Sequence, residues 1–126
     1  DKALVQAQLI ALDALQTIHD DPAALARYEW AATGLAGRLS PPDLSKHHLR
    51  ALAGTYGARV ITYEDGKLYY SRDGRPRVEL IPLSETLFQH PRVDGFRIRF
   101  IMQGRKAVAI EALRDDGSAE RNDRTG

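Results

Sequence analysis

The side chains that could do chemistry in this chain are few and scattered. It has four histidines and no cysteine, which excludes disulfides, thiolate metal sites and a thiol nucleophile. His47 and His48 are adjacent; on a helix they point about 100° apart and cannot readily share one metal ion. No His-x-x-x-His spacing and no third ligand supports a zinc site. His19 falls where a helix should end, a place that suits an imidazolium, and His90 precedes Pro91 in a loop. Ser40, Ser45, Ser71, Ser84 and Ser118 sit in caps, turns or strands, not in a Gly-x-Ser-x-Gly elbow or a Ser-x-x-Lys pair. Asp115-Asp116-Gly117 has the opening of a calcium loop but lacks its other ligands, so it reads as a hairpin. Gly54 and Gly57 flank Thr55-Tyr56 without the Lys-Ser/Thr of a phosphate loop. The sequence therefore calls for no cofactor, no metal and no catalytic residue; a small enzyme using Glu85 and His90 is the weakest reading.

The arginines carry more. Arg97 and Arg99 share one face of a strand, and Arg59, Arg72, Arg75 and Arg77 crowd the first turns. Glu79 and Glu111 are placed to pair with some of them across strands, each exposed pair contributing at most about 1 kcal/mol. Most of this is a solvated charge lattice. The sharper reading is an anion or peptide-carboxylate pocket; across all readings the candidate binding residues are Arg97, Arg99, Tyr70 and Trp30.

The elements that must position these residues follow from periodicity. Lys2–His19 has Leu4, Ala7, Ala11, Leu15 and Ile18 on one helical face, widened by Val5, Leu9 and Leu12. Asp21 caps a second helix with Pro22 at its first position, running to about Leu39. Leu25, Tyr28, Ala32, Leu35 and Leu39 form its apolar stripe, and the two helices make an antiparallel pair. Opposite the stripe, Trp30 stands among Ala23, Ala26, Gly34 and Gly37, a face on which another surface can come close. That surface is expected to be the chain's own strands, or else a domain outside the chain. Ser40-Pro41-Pro42-Asp43 breaks the helix, and Ser45–Leu52 forms a short third one.

Beyond Gly54 the chain alternates with period two. The expected strands are Arg59–Tyr63, Lys67–Arg72, Arg77–Ile81, Leu87–Gln89, Phe96–Met102, Lys106–Leu113 and a weak Ala119–Arg121. Asp65-Gly66 and Asp73-Gly74 mark tight primed turns. The residues expected inside are Val60, Leu68, Tyr70, Val78, Leu80, Phe96, Ile98, Phe100, Val108 and Ile110. The tail from about Asn122 is expected to fray. The fold class is thus α+β: a helical pair over residues 1–40, then an antiparallel meander or half-barrel of six or seven strands over 41–126, packed as one unit.

Composition bounds the partners. With 126 residues, 43% hydrophobic and 28% charged, the chain suits a single globular domain. Its net charge of +1, from 18 basic and 17 acidic residues, argues against a dedicated nucleic-acid binder. No apolar run is long enough to span a bilayer and no signal peptide is visible. The missing initiator Met suggests a processed or excised chain.

Three segments carry a resemblance: YEWAATGLAGRLSPPDL, LRALAGTYGARVITYEDGKLYYSRDGRPRVELIPLSETLF and VDGFRIRFIMQGRKAVAIEAL. Together they resemble the C-terminal helical pair and small β-domain of tail-specific (C-terminal-processing) serine peptidases. The branch is the one similar to interphotoreceptor retinoid-binding protein. Similar β-domains end some β-lactamase-like serine hydrolases. The resemblance implies that the catalytic Ser and Lys lie in an upstream domain, since no residue here matches either. It further implies a non-catalytic accessory role with that domain as partner, and a periplasmic or extracellular location. The alternative is a free-standing lipocalin-like β-domain that binds a small apolar or anionic ligand in its barrel mouth, a reading that a cavity between Tyr70, Phe96 and Phe100 would favour. A small ligand or a second copy of the chain, as a homo-oligomer, is the other expected partner.

Overall fold

The computed structural model describes residues 2, 3, 5, 6 and 21–126. The first four are helical; the rest of the expected helix Lys2–His19, including His19, lies outside the described residues. The fold is α+β, with helices set against two antiparallel sheets.

Helix α1 is Pro22–Leu39, and it begins as its residues dictate. Asp21 accepts a hydrogen bond from the Ala23 amide at 3.1 Å, and Pro22 follows the cap. Helix α2, Lys46–Leu52, is capped by Ser45, whose hydroxyl accepts from the His48 amide at 3.1 Å. Its Leu49 and Leu52 enter the core.

Nine strands follow in chain order: β1 (Gly54–Tyr56), β2 (Arg59–Glu64), β3 (Lys67–Arg72), β4 (Val78–Glu79), β5 (Ile81–Pro82), β6 (Leu87–Gln89), β7 (Phe96–Gln103), β8 (Lys106–Arg114) and β9 (Ala119–Asp123). Every neighbouring pair is antiparallel, but the meander is split into a four-stranded sheet, β1 to β4, and a five-stranded sheet, β5 to β9. The expected strand Arg77–Ile81 divides at Leu80. That residue turns inward, almost wholly buried, while its amide still bonds the Leu68 carbonyl at 2.9 Å. Ile81 then points outward and pairs with Gln89, so the chain changes sheets at a corner.

The opposite seam is closed by the tail, which does not fray. Thr125 donates its amide to the Thr55 carbonyl at 2.7 Å, and Arg124 donates to the carbonyls of Ala53 and Ala107 at 2.9 and 3.2 Å. The guanidinium thus satisfies carbonyls at the end of α2, where a cation also meets the negative end of the helix dipole. Gly54 is needed beneath it, since a Cβ there would lie 2.9 Å from Arg124 Nε.

Inside, the rings of Tyr56, Phe88, Tyr70, Phe96 and Phe100 pack on one another, with centroids 5.5–6.1 Å apart in the contacting pairs. Leu68, Tyr70, Leu80, Phe96, Ile98, Phe100 and Ile110 are buried as expected, whereas Val60, Val78 and Val108 are only half-buried. In β2 the alternation runs in the other phase: Arg59 and Ile61 point inward. Arg59 is 1% exposed because polar groups meet it there. Its Nε bonds the Tyr70 hydroxyl at 3.2 Å, and its other nitrogens reach Asn122 and Glu120 of β9. In β8, a register shift opposite Ile101/Met102 makes Val108 the extra residue, which lets both Ala107 and Ile110 face the core.

Asp65 and Gly66 have φ of 50° and 80°, the conformation of a primed two-residue turn. Nothing lies within 4 Å of a Cβ built on Gly66, so substitution there acts through backbone strain alone. Gly66→Ala should destabilise by about 1 kcal/mol, read as a lower urea midpoint at unchanged slope. Arg59→Ala should cost about 3 kcal/mol, because the buried hydroxyl of Tyr70 and the amide of Asn122 lose their partner. Arg124→Ala should cost about 1.5–3 kcal/mol through its charged hydrogen bonds. An unchanged midpoint for Arg124→Ala would mean that the tail does not seal the structure.

Candidate functional site

The side of the five-stranded sheet that faces away from the core is partly covered by α1. Phe96, Ile98 and Phe100 of β7 face inward, which sends Arg97 and Arg99 to the other side. Arg99 is exposed, but Arg97 is only 4% exposed because the helix lies over it. The solvated charge lattice expected of these arginines thus holds for Arg99 but not for Arg97.

Arg97 is held by three groups. Its Nε donates to Gln89 Oε1 at 2.7 Å and its Nη2 to the Trp30 carbonyl at 2.9 Å. Its guanidinium carbon sits 4.0 Å from the centre of the Trp30 ring, a cation–π contact worth about 0.5–2 kcal/mol depending on desolvation. Trp30 is half-buried, and its Nε1 donates to the Asp94 carbonyl at 2.8 Å. The small residues across the helix are what allow this approach. A Cβ on Gly34 would stand 2.7 Å from Arg97 Nη2, and one on Gly37 would stand 2.8 Å from Leu83 Cδ2 and 3.1 Å from Leu83 Cα. The face carrying Trp30, Gly34 and Gly37 therefore packs on the chain's own strands.

Arg97 has no acidic partner within 4.0 Å among the described residues. Burial, followed by repulsion from Arg38, brings its pKa down to about 10. Trp30, Arg97 and Arg99 come together along a groove of about 220 Å³ beside α1, with Arg114 and Glu29 on its walls. Tyr70 does not join them. It lies on the core side, 8% exposed, with its hydroxyl accepting from Arg59 and its ring 5.7 Å from that of Phe96. The expected pairing of Glu79 and Glu111 with arginines also fails. Glu79 pairs with Lys67 at 3.5 Å, and Glu111, opposite Arg99 in the register, makes no ion pair among the described residues. Arg77 instead pairs with Glu64.

A second, larger cavity of about 500 Å³ opens on the other side of Arg97, lined by Arg38, Leu83, His90 and Asp94 among others. Sequence reasoning missed Arg38 and this cavity. The only signal was Arg38 one turn after Gly34, and its meaning depends on which strand the helix covers.

The histidines remain apart. His48 Nε2 lies 2.7 Å from the Glu85 carbonyl, beside a surface cavity that also includes His47. His90 Nδ1 accepts from the amides of Arg92 and Val93 at 3.1 and 3.2 Å, while its ring packs edge-on to Tyr70 and Phe96. The serines serve as caps and turns; Ser84 accepts from the amides of Thr86 and Leu87. No cluster of three or more His, Cys, Asp or Glu side chains could hold a metal among the described residues. No helix among the described residues is long and apolar enough to cross a membrane.

No known protein family, curated protein or solved structure matches the chain.

Two tests follow from this geometry. Helix propensity favours Gly37→Ala by about 1 kcal/mol, but the clash involves Leu83 backbone, which cannot give way cheaply. The net result should be destabilisation of about 1 kcal/mol or more, measured by chemical denaturation. For His90, burial and then the Arg92 charge lower the pKa below its ordinary 6.5. The unfolded chain therefore binds the proton more readily, so stability should rise with pH between the depressed folded value and 6.5. His90→Asn should flatten that slope in pH-dependent unfolding curves.

Proposed function

We propose that this chain is a non-catalytic accessory module of a serine-peptidase-like hydrolase, serving to dock or scaffold rather than to react. The observation that carries this reading is the use made of the reactive side chains. Serines cap turns, His48 and His90 are tied to backbone groups, Arg59 is spent on Tyr70, Asn122 and Glu120, and Arg97 on Gln89 and the Trp30 carbonyl. None of these contacts pairs a nucleophile with a base, which acyl transfer requires. The resemblance of the three quoted segments to the ends of tail-specific peptidases supplies the hydrolase context, the upstream partner and the exported location.

The filled interior also favours docking over the lipocalin-like alternative. The Tyr70 ring packs on Phe96 and the Phe100 ring on Phe88 and Tyr56, all within one buried cluster, which favours a ligand outside the core.

The purified chain should hydrolyse neither peptides nor activated esters, with or without divalent metal. In a parent hydrolase, deleting the module should reduce stability or turnover of long substrates more than turnover of a small activated ester. Hydrolysis by the isolated chain that disappears in Ser84→Ala, Glu85→Gln or His90→Asn would overturn the reading.

A further inference from the structure

We propose that the cavity between α1 and the β5–β6 edge is a binding site for a carboxylate carried on an apolar body, gripped by Arg38 and Arg97. The argument starts from an imbalance of charge. Arg97 is buried, yet among the described residues neither it nor Arg38 has a carboxylate within 4.0 Å. A buried cation without a counter-charge is costly, and a second cation beside it adds to the cost. An anion placed between them would remove both penalties.

The geometry provides the place. Measured from a Cβ built on Gly34, Arg97 Nη2 is at 2.7 Å and Arg38 Nη2 at 4.0 Å, so the two guanidinium groups converge over one glycine. Arg38 is oriented by its Nε, which donates to the Gly34 carbonyl at 3.3 Å. Arg97 is fixed at Nε and Nη2, while its Nη1 makes no hydrogen bond to a described residue. The site is thus preorganised, and two donor forks suit the two oxygens of a carboxylate.

The walls select the rest of the ligand. The cavity of about 500 Å³ has Leu35, Ile81, Leu83 and Pro91 on its sides, and Ile81 is one of two large hydrophobic residues left exposed among the described residues, at 41%. An anion with an aliphatic body would cover it. Asp94 and His90 also line the cavity. His90 is held toward its neutral form, and the Asp94 carboxylate repels added negative charge. A monoanion therefore suits the site better than phosphate. The site would be available whether or not the chain is appended to a hydrolase, so the two readings fail independently.

Trp30, the sole tryptophan, stacks on Arg97 and reports on the site directly. Titrating the whole chain with hexanoate at low salt should change Trp30 emission saturably and raise the melting temperature. Acetate, which lacks the body, and hexanol, which lacks the charge, should each bind at least about tenfold more weakly. Arg38 is exposed, so Arg38→Gln should leave the far-UV circular dichroism unchanged while weakening hexanoate by about tenfold or more. Arg97→Lys, which keeps the charge but loses the fork, should weaken it similarly. A non-saturable response, or binding indifferent to Arg38→Gln, would overturn the proposal. Phosphate binding as tightly as hexanoate would overturn the carboxylate assignment.

Discussion

A sheet that curls back on itself must fill its interior and seal its seams, and most of this structure answers those two demands. The interior is filled by aromatic rings from both sheets together with Leu49 and Leu52 of α2. One seam is turned by Leu80, which lies in the core while its amide remains in the first sheet's ladder. The other has no such continuity of chain. It relies on Arg59 reaching from β2 to β9, and on Arg124 and Thr125 reaching back to the carbonyls around β1. A buried arginine is tolerated at position 59 because Tyr70 and Asn122 give its nitrogens partners as the seam closes.

Arg97 solves a different problem with the same side chain. It fastens α1 to the outside of the second sheet, using a carbonyl and an indole ring from the helix and an amide oxygen from β6. No carboxylate completes this arrangement among the described residues. Arg59 has Glu120 at 3.3 Å; among the described residues Arg97 is held by neutral groups, with a neighbouring cation beside it. The contrast separates an arginine paired with a carboxylate from one for which, under our proposal, a bound anion would supply the charge.

The legible parts of the sequence were those governed by local rules. Asp65-Gly66 and Asp73-Gly74 specify their turns because both residues must adopt positive φ. Asp21-Pro22 and Ser45 specify helix starts for equally local reasons. The misreadings arose where distant partners decide. Val60 reads as core by type, yet Arg59 and Ile61 take the inner face because Asn122 and Glu120 await the guanidinium. Arg97 falls on the polar face by alternation, and nothing in β7 says that a helix covers it. Tyr70 faces inward beside Leu68, as alternation predicts, and this keeps it away from Arg97 and Trp30. The bulge at Val108 is invisible to a period-two count, and the tail looked free only because its acceptors lie about 70 residues earlier.

That separation bears on how the fold forms. The hairpins from β2 to β3 and from β7 to β8 join neighbours in sequence and can zip early. The contacts that tie β9 and the tail to β2 and the end of α2 span 61 to 73 residues, from Arg59–Glu120 to Arg124–Ala51. Contacts of such separation carry a large loop-closure entropy and form late. On a ribosome, β1 and β2 would emerge long before β9, with Tyr56, Ile61 and the Arg59 guanidinium uncovered and the edge of β1 unpaired. An open edge beside apolar surface invites association with other chains, so the interval between making β1 and making Arg124 is when this fold is most exposed to misassembly.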